Sequence, residues 1–321
     1  MSTKLQFLLT FPEKIRHQYL SGIQEAFPNL EIQMADHYSK ITPFIEEAEV
    51  LLTFGPMMSE EVLQNAKRLR WVQALGSGVD GILDRPSLRS DVLITNMYGI
   101  HGVPVSEAAL MSMLALARNV SWSIKNQIEK KWNRSIAPSV LHGKTVVILG
   151  VGIIACALAP KCQALGMNVI GVSSAVRTVE GFNQILPKEQ LHQAVQAADY
   201  LVLLTPYSAQ THHLVNQEVL TNMKKSAFLI NLARGGVVDE AALFNSLQNK
   251  HIAGAALDVF QEEPLPSEHP FWSMDNVFVT PHLGGFYDEY VDHALPILIH
   301  NIQQYLKNDF SAMKNIVRLP Q

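Results

Sequence analysis

The 321-residue chain has two cysteines, no apolar run long enough to cross a bilayer and no excess of positive charge. Each shortage excludes a class. Cys156 and Cys162 stand six residues apart on one helical stretch, so no disulfide framework is expected and a reducing, cytoplasmic compartment is favoured. The longest charge-free apolar stretch, Val146 to Pro160, is interrupted by Gly150 and Gly152 and falls short of the ~20 residues of a spanning helix. No membrane partner is expected. Met1-Ser2-Thr3-Lys4 leads into a short apolar run that ends at Pro12 and Glu13, too brief for an export signal. With 25 basic and 29 acidic residues the formal charge is −4, which provides no broad field for a phosphate backbone. Nucleic acid is therefore not expected as a partner, and no repeat or low-complexity tract adds a further class.

What is present is a globular composition, 48% hydrophobic and 17% charged, on a chain long enough for two domains at about 100–200 residues each. Short apolar runs alternate with helix-period segments, the pattern of βαβ units and an α/β fold. Residues 4–11, 30–34, 49–54, 71–75 and 92–95 read as strands of a first sheet, with helices over 12–26 and 59–67. A second sheet begins at 145–149 and continues through 168–172, 200–204, 227–230, 252–257 and 276–279. Between them Pro104 to Ile128 reads as one long helix, apolar on more than one face, covered by the neighbouring domain and by a second subunit. A last helix over 289–306 returns the chain to the first domain. The expected architecture is two doubly wound parallel-sheet domains: 1–100 with 288–321, and an inserted 101–287.

The run Thr145-Val-Val-Ile-Leu149 leads directly into Gly150-Val151-Gly152-Ile153-Ile154-Ala155 and a helical stretch. A dinucleotide needs this order. Gly150 permits the tight turn, Gly152 lets backbone approach a pyrophosphate, Ala155 is small enough for helix–sheet packing, and the helix N-terminus offers free N–H groups. At the end of the next strand an NAD site places an acidic side chain on the ribose, but Ser173 stands there, followed by Ser174 and Arg177. Hydroxyls and a guanidinium favour NADP over NAD.

Three further segments follow: Asn231-Leu-Ala-Arg234-Gly235-Gly236-Val-Val-Asp239, Leu257-Asp258-Val-Phe-Gln-Glu-Glu263-Pro264-Leu-Pro266, and Thr280-Pro281-His282-Leu-Gly284-Gly285. With the glycine turn, and with Trp71-Val-Gln-Ala-Leu-Gly-Ser-Gly-Val79-Asp80, they resemble the D-isomer-specific 2-hydroxyacid dehydrogenase family over most of the chain. The resemblance implies an NAD(P)-dependent oxidoreductase in which Arg234, Glu263 and His282 are the catalytic residues, and Asp258 bonds the nicotinamide carboxamide. It also puts Ile153, Ile154, Thr205, Pro206, Ala233 and Gly284 among the cofactor contacts, and Ser77 and Gly78, with Arg234, at the substrate carboxylate.

The chemistry suits those residue types. Reducing a 2-oxo acid by hydride transfer builds negative charge on the carbonyl oxygen, which calls for a proton donor and a fixed cation. Histidine oriented by a carboxylate is such a donor, and arginine has the planar fork that grips a carboxylate. Glyoxylate and hydroxypyruvate are the first candidate substrates. No metal site is expected, and the adjacent His212 and His213 are read as pointing to opposite sides. Phe286 and Tyr287 replace the small residues commoner in the family after this histidine motif; Phe54 and Tyr98 could shape a pocket or serve as core packing. Domain closure is expected, with hinges near residues 99–102 and 284–287. The breadth of the Pro104 helix suggests a homodimer. Two variants share the fold: a formate dehydrogenase, whose group has glutamine where Glu263 stands, and a nucleotide-sensing corepressor, whose long extensions have no counterpart here.

Overall fold

The computed structural model describes residues 3–41 and 44–320, so Met1, Ser2 and Gln321 lie outside the described residues, as do 42 and 43. The chain divides into two compact units, residues 1–100 with 288–321, and residues 101–287.

The first unit opens with strands β1 (Lys4–Leu8), β2 (Glu31–Ala35), β3 (Val50–Thr53), β4 (Trp71–Ala74) and β5 (Leu93–Thr95), with helices α1 (Glu13–Ala26) and α2 (Glu60–Asn65) between them. β3, β4 and β5 are buried at every position, as strands covered on both faces must be. Among these five strands only the edge strand β2 alternates.

The second unit begins with α3 (Gly102–Ala117) and α4 (Val120–Ile128). The single helix expected over Pro104–Ile128 is therefore two. Asn119 adopts φ +54°, a left-handed conformation that its short polar side chain tolerates, and the α-helix stops there although the apolar pattern runs on. The buried side of α3 is covered within its own unit: Ala109, Met113 and Leu116 pack with Val146, Ala155, Leu158 and Cys162 in one core. Strands β6 (Thr145–Leu149), β7 (Asn168–Ser173), β8 (Gln184–Pro187), β9 (Tyr200–Leu203), β10 (Phe228–Asn231), β11 (Gly254–Leu257) and β12 (Val277–Val279) form an all-parallel sheet in the order β12-β11-β10-β9-β6-β7-β8. Helices α5 (Ile153–Ala164), α6 (Leu191–Ala197), α7 (Gln217–Asn222) and α8 (Glu240–Gln248) complete this unit. Because β6 pairs with both β7 and β9, the winding reverses between β6 and β9, where open α/β sheets take their ligands.

The chain then returns to the first unit as α9 (Tyr290–Leu306) and β13 (Ile316–Arg318). The first sheet has the order β13-β5-β4-β3-β1-β2, and β13 runs antiparallel to β5, an edge the sequence did not announce. Under α9 a buried polar chain joins the strands. Trp71 donates to Thr95 Oγ1 at 2.8 Å, Thr95 donates to Gln73 Oε1 at 2.8 Å, and Asn301 Nδ2 donates to the same oxygen at 3.0 Å. No described helix is long and apolar enough to cross a membrane.

Candidate active site

Everything assembled in the second unit lies just past the C-terminal ends of its strands. Gly150, at the end of β6, has φ +99°, and a Cβ there would come within 2.8 Å of the Thr205 backbone after β9. Only glycine fits this point, where the two strands flanking the switch diverge. Gly152 caps α5, and a Cβ on it would meet nothing within 4 Å, so the turn leaves an open cradle in front of the helix. No side chain caps α5 and no acidic residue lies in its first turn, which leaves its N–H groups and positive dipole end to an anion. Ala155 is fully buried on the inner side of that turn. This geometry fits the pyrophosphate of a dinucleotide, with the amides of Ile153 and Ile154 at the helix start.

Ser173 closes β7, and its Oγ accepts the Ala175 N–H at 3.3 Å. Ser174 follows it. Arg177 turns back toward the glycine turn, donating from Nη2 to the Val151 carbonyl at 2.7 Å and from Nη1 to the Ala175 carbonyl at 3.3 Å. A fixed positive charge therefore stands beside the turn at the end of β7. Past β9, Pro206 accepts the Thr211 hydroxyl at 2.8 Å through its carbonyl.

Arg234 follows β10 and Glu263 follows β11. The two loops touch through Gly235: a Cβ there would fall 1.9 Å from the Phe260 carbonyl carbon, so the arginine turn lies directly on the backbone leading to the glutamate. Ala233, buried beside Arg234, donates its N–H to Asn231 Oδ1 at 3.0 Å, and Asn231 Nδ2 donates to the Arg234 carbonyl at 3.0 Å. Glu263 Oε2 lies 2.7 Å from His282 Nδ1, and Glu263 Oε1 accepts the Phe260 N–H at 2.9 Å. Burial pushes this carboxyl upward, but the His282 hydrogen bond and charge, the Phe260 amide and the Arg234 charge outweigh it and hold Glu263 below the ordinary carboxylate range. The carboxylate is thus ionised at neutral pH.

His282 has φ +54°, an unusual value for a residue with a Cβ. Asp258 explains how it is held. Its carbonyl accepts the His282 N–H at 2.8 Å; its Oδ1 accepts the Thr280 hydroxyl at 2.5 Å and the Leu283 N–H at 2.9 Å, and its Oδ2 accepts the Gly284 N–H at 2.9 Å. This 4%-exposed carboxylate spends three of its four or so lone pairs on the loop that carries the histidine. Sequence reading missed Thr280 and the amides of Phe260, Leu283 and Gly284 in these supporting roles: the three amides are backbone donors that leave no residue-type signal, and only the fold brings the Thr280 hydroxyl to Asp258.

In the first unit, taken by itself, Ser77 and Gly78 follow β4. The loop is pinned by Asn96 Nδ2 donating to the Ser77 carbonyl at 2.7 Å and by the Met97 N–H donating to the Gly76 carbonyl at 2.9 Å. Phe54 packs against Phe11 with ring centroids 5.0 Å apart, and Tyr98 is exposed. The expectation that His212 and His213 diverge is wrong: a left-handed His213, at φ +49°, brings the two rings into a stack 3.8 Å apart. No group of metal-ligating side chains occurs among the described residues.

A sequence model of the NAD-binding domain of D-isomer specific 2-hydroxyacid dehydrogenases matches residues 110–284, more than half of the chain. The chain belongs to this family. It is 30% identical over 270 residues to a glyoxylate reductase of Korarchaeum cryptofilum, covering 82% of this chain and 80% of that one. It is 29% identical over 307 residues to a D-3-phosphoglycerate dehydrogenase of Methanocaldococcus jannaschii, of which it spans 58%. Among solved structures, a family member from Aeromonas salmonicida superposes with a TM-score of 0.86 at 30% identity over 99% of both chains. A second, from Xanthobacter autotrophicus Py2 in complex with NADPH and MES, gives a TM-score of 0.81 at 30% identity, covering 99% of this chain and 98% of that one.

Proposed function

We propose that this family member transfers hydride between NAD(P)H and a small 2-oxo acid, with glyoxylate and hydroxypyruvate as first candidates. The observation that carries the reading is the 2.7 Å contact between His282 Nδ1 and an ionised Glu263, on loops that share the switch-point end of the sheet with the glycine turn. A bound nicotinamide supplies the hydride. Glu263 occupies Nδ1, so His282 offers Nε2 to the substrate. As charge builds on the carbonyl oxygen, a proton leaves Nε2 for that oxygen, and the carboxylate fixes ring orientation and tautomer. Arg234 is assigned the carboxylate of the acid, and in the first unit, taken by itself, the amides of Ser77 and Gly78 are assigned as carboxylate donors.

NADP is favoured over NAD, because Ser173 stands where an acidic residue would repel a 2′-phosphate and Arg177 brings a guanidinium to the same strand end. Two free thiols on α5 fit a reducing cytoplasm. Met111 and Leu114 on α3 and Ile124 and Ile128 on α4 remain exposed, and we assign that apolar surface to a homodimer; a monomeric mass by light scattering would refute the assignment. The activity is tested by following NADPH and NADH oxidation with a panel of 2-oxo acids. Wild-type turnover with His282→Gln reduced by about 10²–10⁴-fold is expected; equal rates for the two proteins would dismiss His282 as the acid.

A further inference from the structure

The stacked histidines are not used by the chemistry above, yet they join its loops. The His213 N–H donates to the Gly236 carbonyl at 2.8 Å, which ties it to the turn carrying Arg234. Tyr207 lies over Gly236, where a Cβ would meet its ring at 2.6 Å, and the Tyr207 hydroxyl is 3.0 Å from His212 Nδ1. On the other side, His213 Nε2 lies 3.0 Å from Nε2 of Gln261, two residues before Glu263. The same amide nitrogen donates to the Val238 carbonyl at 3.3 Å, and the Gln261 backbone N–H donates to Glu240 Oε1 at 2.6 Å.

As placed, the amide nitrogen calls for an acceptor on the His213 ring. The amide nitrogen of glutamine carries two protons and accepts none. One goes to the Val238 carbonyl, which can only accept, so the other points at His213 Nε2, which must accept as well. An imidazole accepts at Nε2 only when it is neutral with its proton on Nδ1. A protonated ring would set N–H against N–H, and reversing the amide would set its oxygen against the Val238 carbonyl.

We propose that His213 and Gln261 form a positioning pair that holds the Glu263 turn against the Arg234 turn only while His213 is neutral. The proposal rests on the reading of Glu263 and His282 as the proton-donating pair. The charged and titratable groups around it are His212 in the stack, Tyr207 behind His212, and Arg234 in the turn that His213 bonds. On the side of α8, Glu240 holds the Gln261 amide with His269 Nε2 3.9 Å from its second oxygen, and the Asp239 N–H donates to the Val215 carbonyl. The two imidazoles lie 3.8 Å apart in that stack. Proton uptake at His213 breaks the bond to Gln261 and loosens the turn, and reduction slows on acidification. His282 must keep its proton, so reduction also slows on alkalinisation. The two demands bound a working window from opposite sides.

The test compares wild type, His213→Asn and Gln261→Glu, each as the full chain, by pH profiles of kcat/KM for 2-oxo acid reduction over about pH 5–8. Asparagine tolerates the left-handed backbone and takes up no proton, but its amide ends near the place of Nδ1 and so removes the bond to Gln261 at every pH. The wild type is expected to lose roughly tenfold per pH unit on the acid side. His213→Asn should run at a uniformly lowered rate, with that fall flattened and the alkaline fall left in place; Gln261→Glu, which accepts from the imidazolium although it turns an oxygen toward the Val238 carbonyl, should move its acid limb to lower pH. Acid limbs that superimpose on wild type in both variants overturn the proposal. Nitrogen-15 spectra of the wild-type imidazoles at neutral pH decide the pair independently of turnover and of any variant that fails to fold: a proton on Nδ1 of His213 is expected, and a proton on Nε2 overturns it. A chain that reduces no 2-oxo acid would refute the proposed function, while the nitrogen spectrum would still report on the pair.

Discussion

Replacing Asp258 by asparagine tests whether the histidine loop is held in the way its hydrogen bonds imply. Asparagine keeps the shape but has one oxygen and one NH₂ group. If the oxygen stays toward Thr280 and Leu283, the NH₂ faces the Gly284 N–H, donor against donor. Leaving that buried amide unsatisfied costs about 1–3 kcal/mol, and the two surviving bonds fall to roughly half strength without the charge. A total near about 3 kcal/mol corresponds to a fall of about 6–12 °C in the melting temperature of a domain of this size. The loop also loses its grip on the left-handed His282, and a displacement of about 1 Å at the reacting group is enough for a 10²-fold loss. The assay is a thermal melt with kcat and cofactor Kd measured separately. Loop anchoring predicts that kcat falls while cofactor Kd moves little. A variant with kcat within about threefold of wild type and an unchanged melt would refute the argument; a loss confined to cofactor Kd would move Asp258 from the loop to the nicotinamide.

Glu263 has a depressed folded-state pKa, so its pairing contributes stability in full above the unfolded carboxylate value of about 4.3 and loses it only as pH falls through the lower folded value. Acid melts of Glu263→Gln should lack that loss, and one matching wild type would remove the pairing from the account. Arg177→Ala should raise Kd for NADPH by about 10-fold or more with little change for NADH, since a charge-assisted hydrogen bond is worth about 1.5–3 kcal/mol; equal losses for the two cofactors would place the guanidinium elsewhere. Gly235→Ala would bring a Cβ to 1.9 Å from the Phe260 carbonyl carbon, so the Arg234 and Glu263 loops must part. Loss of reduction by at least about 10²-fold is expected, and an active, unaltered Gly235→Ala would show that the contact is dispensable.

Strand and helix classes were readable where the physics is local. Buried parallel strands are continuous apolar runs, and residues 145–149 were bounded correctly because Gly150 must end them. The break at Asn119 was not readable, since the apolar pattern continues through it and only the left-handed φ marks the stop. β13 was missed because three residues on an antiparallel edge carry too little pattern. In the candidate site, the types and order of Arg234, Glu263 and His282 stand out in the sequence, whereas their supports do not. The amides of Phe260, Leu283 and Gly284 belong to the backbone, which every residue shares.

The order of residues by itself determined two α/β sheets, a glycine turn between a strand and a helix, and an ordered set of motifs that resembles one family. Tertiary structure alone decided that His282 meets Glu263 at 2.7 Å, that Asp258 anchors the loop that carries the histidine, and that two neighbouring histidine rings lie face to face. Periodicity and turn chemistry act over a few residues and can be read along a chain. Distances between loops that follow different strands depend on sheet order, on the register of parallel pairs and on where a missing Cβ lets two backbones touch.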